Sequence, residues 1–292
     1  MTASSRAVVD LAGCKELRWL AQVAADVATA GLTQKPLVVG ALARDILLLH
    51  AHGIDTGQAT EDADFAIAVA DWEEFSAARE KLLAGNAFVS SGQGMQRIRH
   101  REFGWIDLIP FGAIERADGT IAWPPDGAQV MNVLGFREAC STAIQVTLPG
   151  EQRVLVVSLP MLILLKILAW EDRHIYAPAK DAVDLMLMLR KYLDAGNVGR
   201  FPEDAAELPS LEFDYETAGA LLAGRDVGAL LGACQPRGEA ICERVSAIVR
   251  RELDPDGQLM LLREMAGFDA EYAHRLLGAF ERGLAGPLPE PQ

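Results

Sequence analysis

Three aspartates have the residue type and spacing to do chemistry. In Asp62-Ala63-Asp64-Phe65-Ala66-Ile67-Ala68-Val69 the polar and apolar positions alternate, which predicts a strand from Asp62 to Val69 with both carboxylates on one face. Asp107 is the one charge in the apolar run Trp105-Ile106-Asp107-Leu108-Ile109. A carboxylate buried there without a partner is costly, and metal coordination removes that cost. Carboxylates grouped this way suit a hard cation, magnesium or manganese, that keeps open positions for phosphate oxygens. Two such ions stabilise the attacking and leaving oxygens of an in-line displacement at phosphorus. Asp62, Asp64 and Asp107 are therefore the expected metal ligands, and Asp107 is also placed to help deprotonate an attacking hydroxyl. An Asp-x-Asp pair alone is common in turns, so the weight lies in the combination.

These acids need elements to position them. Leu37-Val38-Val39 reads as a short strand that ends at Gly40 and enters a helix from Leu42 to His50. A strand that turns through glycine into a helix presents free backbone N–H groups, which favour a phosphate. Gly40, Ala41 and Arg44 are the expected phosphate-binding residues, although Arg44 could equally pair with Asp45. Helical spacing is also found from Leu11 to Gly31 and from Asp71 to Leu83, with Asp71 as N-cap. Further strands are predicted at Phe88–Ser90, Met95–Arg101 and Trp105–Pro110, and a hairpin joins Ile144–Leu148 to Val154–Val157 across Pro149-Gly150.

From Leu159 onwards helical periodicity takes over: Leu159–Trp170, Ala179–Leu193, Tyr215–Leu222, Gly238–Arg251 and Glu271–Leu284. The expected fold class is α+β, a mixed sheet with flanking helices over residues 1–157, then a helical domain over 158–285 that closes over the nucleotide cleft. The tail 286–292, rich in proline, is expected to be flexible.

The order glycine turn, Asp-x-Asp strand and third aspartate resembles the nucleotidyltransferase superfamily. Gly40-Ala41-Leu42-Ala43-Arg44-Asp45 looks like the corresponding turn of tRNA-end-adding and poly(A) polymerases, with Ala41 where many members carry glycine or serine. Within the superfamily the sequence is most similar to the AbiEii-type group, the toxins of abortive-infection and toxin–antitoxin pairs. Lys166, in Leu164-Leu165-Lys166-Ile167-Leu168-Ala169-Trp170, resembles the lysine that grips a nucleotide triphosphate, and Asp172-Arg173 with Lys180-Asp181-Ala182-Val183-Asp184 resembles the polar motif that follows. Asp181 joins the catalytic candidates on that likeness. Read from the residues alone, Lys166 is a snorkelling lysine, and Asp181 and Asp184, at i and i+3 on a helix, hold a lysine, position a base or are surface charge. The resemblance implies a nucleoside triphosphate as co-substrate, transfer of a nucleoside monophosphate to an acceptor hydroxyl such as a tRNA end, release of pyrophosphate, and a cognate antitoxin as partner.

Composition bounds these expectations. The formal net charge is −14, which disfavours broad nonspecific nucleic-acid binding and suits a protein or small-molecule acceptor. Arg97, Arg99, His100 and Arg101 form one compact basic cluster, either a local phosphate groove or a solvated strand edge. Trp72, Trp105, Trp123 and Trp170 read as core before stacking platforms, and the four cysteines as free thiols. Val154–Trp170 falls short of the roughly 20 clean apolar residues of a membrane span, and the N-terminus has no signal pattern, so a cytoplasmic protein without membrane contact is expected. A non-catalytic nucleotide-binding protein, or a scaffold for an antitoxin-like partner, is the reading from another class.

Overall fold

The computed structural model describes residues 7–57, 60, 62–200, 214–266 and 269–286. The expected flexibility of the tail falls, beyond Gly286, outside the described residues. Two compact units meet in sequence between Ser158 and Leu159.

The first unit holds β1 (Val8–Asp10), α1 (Arg18–Ala28), β2 (Leu37–Val39), α2 (Gly40–Asp45), β3 (Ala63–Val69), α3 (Trp72–Ala84), β4 (Phe88–Ser90), β5 (Arg97–His100), β6 (Gly104–Gly112), β7 (Thr120–Ala122), β8 (Val130–Asn132), α4 (Phe136–Ser141), β9 (Ile144–Leu148) and β10 (Gln152–Val156). Eight strands form one mixed sheet in the order β1-β9-β10-β2-β3-β6-β5-β4, while β7 and β8 pair separately. The centre of the sheet is β3, antiparallel to β2 and parallel to β6. Its alternation has the expected cause. Ala63, Phe65, Ile67 and Val69 are buried while Asp64 and Ala68 stay partly accessible.

The connection from β3 to its parallel partner runs through α3, β4 and β5. Asp71 caps α3 by accepting a hydrogen bond from the Glu74 N–H at 2.8 Å, the role its sequence position predicts. The helix after β2 begins at Gly40 itself, two residues earlier than periodicity suggests, and continues through a π-helical turn, Ile46–His50. Glycine accepts the φ of +69° there without strain.

The second unit contains α5 (Leu159–Arg173), α6 (Lys180–Arg190), α7 (Tyr215–Gly232), α8 (Arg237–Leu253), α9 (Met260–Ala266) and α10 (Ala270–Leu284). Four of its helices run longer than the sequence pattern indicates, α6 is shorter than the expected Ala179–Leu193, and α9 has no counterpart in that pattern. Gly224 and Gly283 explain the close pairing of α7 with α10, since a Cβ at Gly224 would lie 2.0 Å from the Phe280 carbonyl oxygen and one at Gly283 would lie 2.1 Å from that of Leu221. Among the described residues no helix is long and apolar enough to cross a membrane.

Candidate functional site

Strand register places the aspartates. Asp64 of β3 lies directly beside Asp107 of β6, and Arg97 of β5 lies on the other side of Asp107. One step toward the start of β6, Trp105 is paired with Arg99, and Asp62 sits just ahead of β3. Because side chains alternate along each strand, these residues share one face of the sheet. The end of β2 closes the site from the other side, Val39 being the partner of Asp64. A Cβ built on Gly40 would fall 2.1 Å from Asp64 Oδ2, so the glycine turn and the carboxylate occupy one tight corner.

Asp107 is not an uncompensated carboxylate. The Arg97 guanidinium donates from Nε to Oδ1 at 2.8 Å and from Nη2 to Oδ2 at 2.6 Å, and Nη2 lies 3.6 Å from Asp62 Oδ2. Those hydrogen bonds, then the neighbouring acidic charges, hold the Arg97 pKa above its usual value despite partial burial. The partner inferred for Asp107 from burial cost was a metal. The structure supplies a guanidinium instead, and among the described residues no group of three or more histidines, cysteines, aspartates or glutamates is gathered into a metal-binding arrangement. The donor set itself suits a hard cation. It consists of oxygen ligands from neighbouring strands, and a positive charge already stands in among them.

The basic cluster is divided by strand alternation. Arg97 and Arg99 lie 5.7 and 5.9 Å from the Trp105 ring centroid, within cation–π range. Trp105 is therefore a half-exposed partner of two arginines, whereas Trp123 and Trp170 are core as expected. His100 points the other way, buried between Phe88 and Phe103 with Nε2 3.1 Å from Asp26 Oδ2. It lines, with Arg101, a cavity of about 690 Å³ that contains none of the three aspartates. The expectation of one groove is thus corrected, as is that of a strand edge, since β5 lies between β6 and β4.

Two expected phosphate ligands are held by carboxylates. Arg44 is 5% exposed and donates from Nε and Nη2 to Asp45 Oδ1 at 2.9 and 2.6 Å, while Thr60 donates to Asp45 Oδ2. Of its two readings the structure gives the ion pair, because the side chain turns into the interior on the helix's buried side. Lys166 does not snorkel. It is 4% exposed, with Nζ 2.9 Å from Asp181 Oδ1 and 2.5 Å from Asp184 Oδ2. Arg173, seven residues further along α5 and hence on the same face, forks Asp181 at 2.6 and 2.7 Å. Burial pushes the Asp181 carboxyl up, but the Arg173 hydrogen bonds and the Lys166 charge outweigh it and hold the carboxyl below its ordinary value.

Two elements were missed around this chemistry. The pairing of Arg97 with Asp107 could have been suspected from opposite charges on adjacent predicted strands, whereas the stacking of Trp170 on His174 and its hydrogen bond to Glu264 left no sequence signal.

A central mixed sheet with paired aspartates on β3 and β6, preceded by a glycine turn and followed by a helical unit, is the architecture of a nucleotidyltransferase-like fold. The model of the family described as nucleotidyl transferase AbiEii toxin, type IV TA system, matches residues 47–218, more than half of the chain. The protein belongs to the AbiEii nucleotidyltransferase family. The match takes in Asp62, Asp64, Asp107, Lys166, Asp181 and Asp184, and begins after Gly40, Ala41 and Arg44. Membership in a toxin–antitoxin family implies a cognate antitoxin. No curated protein matches the chain.

Proposed function

We propose that this protein transfers a nucleoside monophosphate from a nucleoside triphosphate to an acceptor hydroxyl, as a toxin held in check by an antitoxin. The observation that supports it is the in-register placement of Asp64 beside Asp107, with Gly40 packed on Asp64. In this reading Asp62, Asp64 and Asp107 hold magnesium or manganese, which when bound supplies positive charge to the phosphorus centre and the departing pyrophosphate. The N–H groups at Gly40 and Ala41 face the phosphates, where glycine permits close approach. Asp107, on its own strand beside Asp64, takes the proton of the attacking hydroxyl. Lys166, buried in the helical unit with two of its three N–H donors engaged by Asp181 and Asp184, serves as the counter-charge of those two carboxylates, and Asp181 fixes its direction as a positioning residue. Arg44 has no part in this scheme, since Asp45 occupies its guanidinium.

The acceptor we propose is a tRNA end. A protein side chain or a small molecule is the second reading, favoured by the net charge of −14. Purified protein incubated with magnesium, each of the four labelled nucleoside triphosphates and total tRNA is expected to label RNA. Asp64→Asn, a change of little volume, is expected to abolish the label with the circular-dichroism spectrum unchanged. Full labelling by the variant would overturn the mechanism, and labelling of protein instead of RNA would select the second reading.

A further inference from the structure

The Asp62–Asp64–Asp107 face contains a cation of its own. Arg97 spends both ends of its fork on Asp107 while reaching within 3.6 Å of Asp62, and its guanidinium lies 5.7 Å from the centroid of Trp105. A bidentate guanidinium uses the same carboxylate oxygens that a metal ion would take. A divalent ion placed on those oxygens would also stand within a few ångströms of a like charge. The two cations therefore compete at Asp107. Three carboxylates on neighbouring strands would in turn repel each other if neither were present.

We propose that Arg97 is a resident counter-cation of the aspartate site, one that keeps Asp107 charge-balanced and oriented and must give up its fork before a divalent ion takes the same oxygens. A guanidinium that releases the fork keeps a partner it already touches, the face of Trp105, which Arg99 shares. Arg97 is thereby a positioning residue whose side chain sets the apparent affinity for metal. This rests on the metal reading of the three aspartates, and its test separates the two.

The full-length protein is titrated with Mn²⁺ in the absence of nucleotide, free ion being read by electron paramagnetic resonance. If the form with Asp107 released is populated about one part in ten, removing the guanidinium raises apparent affinity about tenfold. Arg97→Ala is expected to bind Mn²⁺ about tenfold more tightly than the natural protein. Arg97→Lys keeps the charge but not the fork and is expected to fall between them. Asp107→Asn is expected to lose the binding. If Asp107→Asn binds Mn²⁺ as the natural protein does, the metal reading fails. If it does not bind and Arg97→Ala gains no affinity, the metal reading stands and the role of Arg97 is overturned. Should Arg97→Ala not fold, Arg97→Lys decides by the same sign.

Discussion

At the scale of single residues, the corner between Gly40 and Asp64 is the most constrained point of the site. A methyl group at position 40 would meet both the Asp64 carboxylate at 2.1 Å and a backbone φ of +69°. Gly40→Ala is expected to cost about 1–2 kcal/mol from the left-handed backbone alone, read as a lowered urea midpoint. It should also push the Asp64 carboxylate aside, so transfer activity should fall further than stability does. An alanine variant with normal activity would show that Asp64 has room to move. Much of this corner could be read beforehand, because glycine after a short apolar run and alternation around Asp64 are local signals. The partners of Asp107, Arg44 and Lys166 were harder. Each charged group has several candidate counter-charges within reach in sequence, and only strand register or helix pairing selects among them. Asp107 shows the difficulty: its isolation in an apolar run led to a metal ion as the compensating charge, yet nothing in that run distinguishes a metal ion from the guanidinium ten residues upstream.

At the scale of elements, β3, β4 and the hairpin strand β9 were legible because alternation or bounded apolar runs give them away. β1, β7 and β8, three residues each, were not. β1 takes its partner β9 from far along the chain, while β7 and β8 pair with each other, and three residues are too few to display a period. The helix pair α5–α6 shows how a local rule becomes a tertiary device, with Lys166 and Arg173 on one helix enclosing Asp181 on the other. Removing one member of such a buried cluster is strongly destabilising, so Asp181→Asn is expected to cost about 3 kcal/mol in urea unfolding at neutral pH. The sign of its pH dependence follows from the depressed native pKa. The contribution of the carboxylate is present in full above its unfolded value of about 3.9, and it is lost as pH falls through the lower native value. The gap between natural and variant protein should therefore be flat from about pH 5 to about pH 8 and close only below about pH 4. A gap that closes near neutrality would mean another group carries the effect.

At the scale of the whole molecule, the change from strand to helical patterning near Leu159 was visible because periodicity itself changes there, from two to about 3.6 residues. The overall charge was equally plain, whereas its local distribution was not, since alternation sends Arg97 and Arg99 to one face of the sheet and His100 into the interior. A tRNA end, the acceptor proposed above, held by an acidic protein through few cations should give a shallow salt dependence. Filter binding of total tRNA is expected to weaken as salt rises, and Arg99→Ala should reduce the magnitude of the log–log slope by about one. An unchanged slope would take Arg99 out of the RNA path. The parallel register of β3 and β6 also has a bearing on biosynthesis. As the chain leaves the ribosome, Asp62 and Asp64 emerge first, and α3, β4 and β5 must all follow before the strand bearing Asp107 is made. That strand then inserts between two that already exist. The three-carboxylate set is thus complete in the chain only once β6 is made, and a nascent or truncated chain ending before β6 contains only two of its acids.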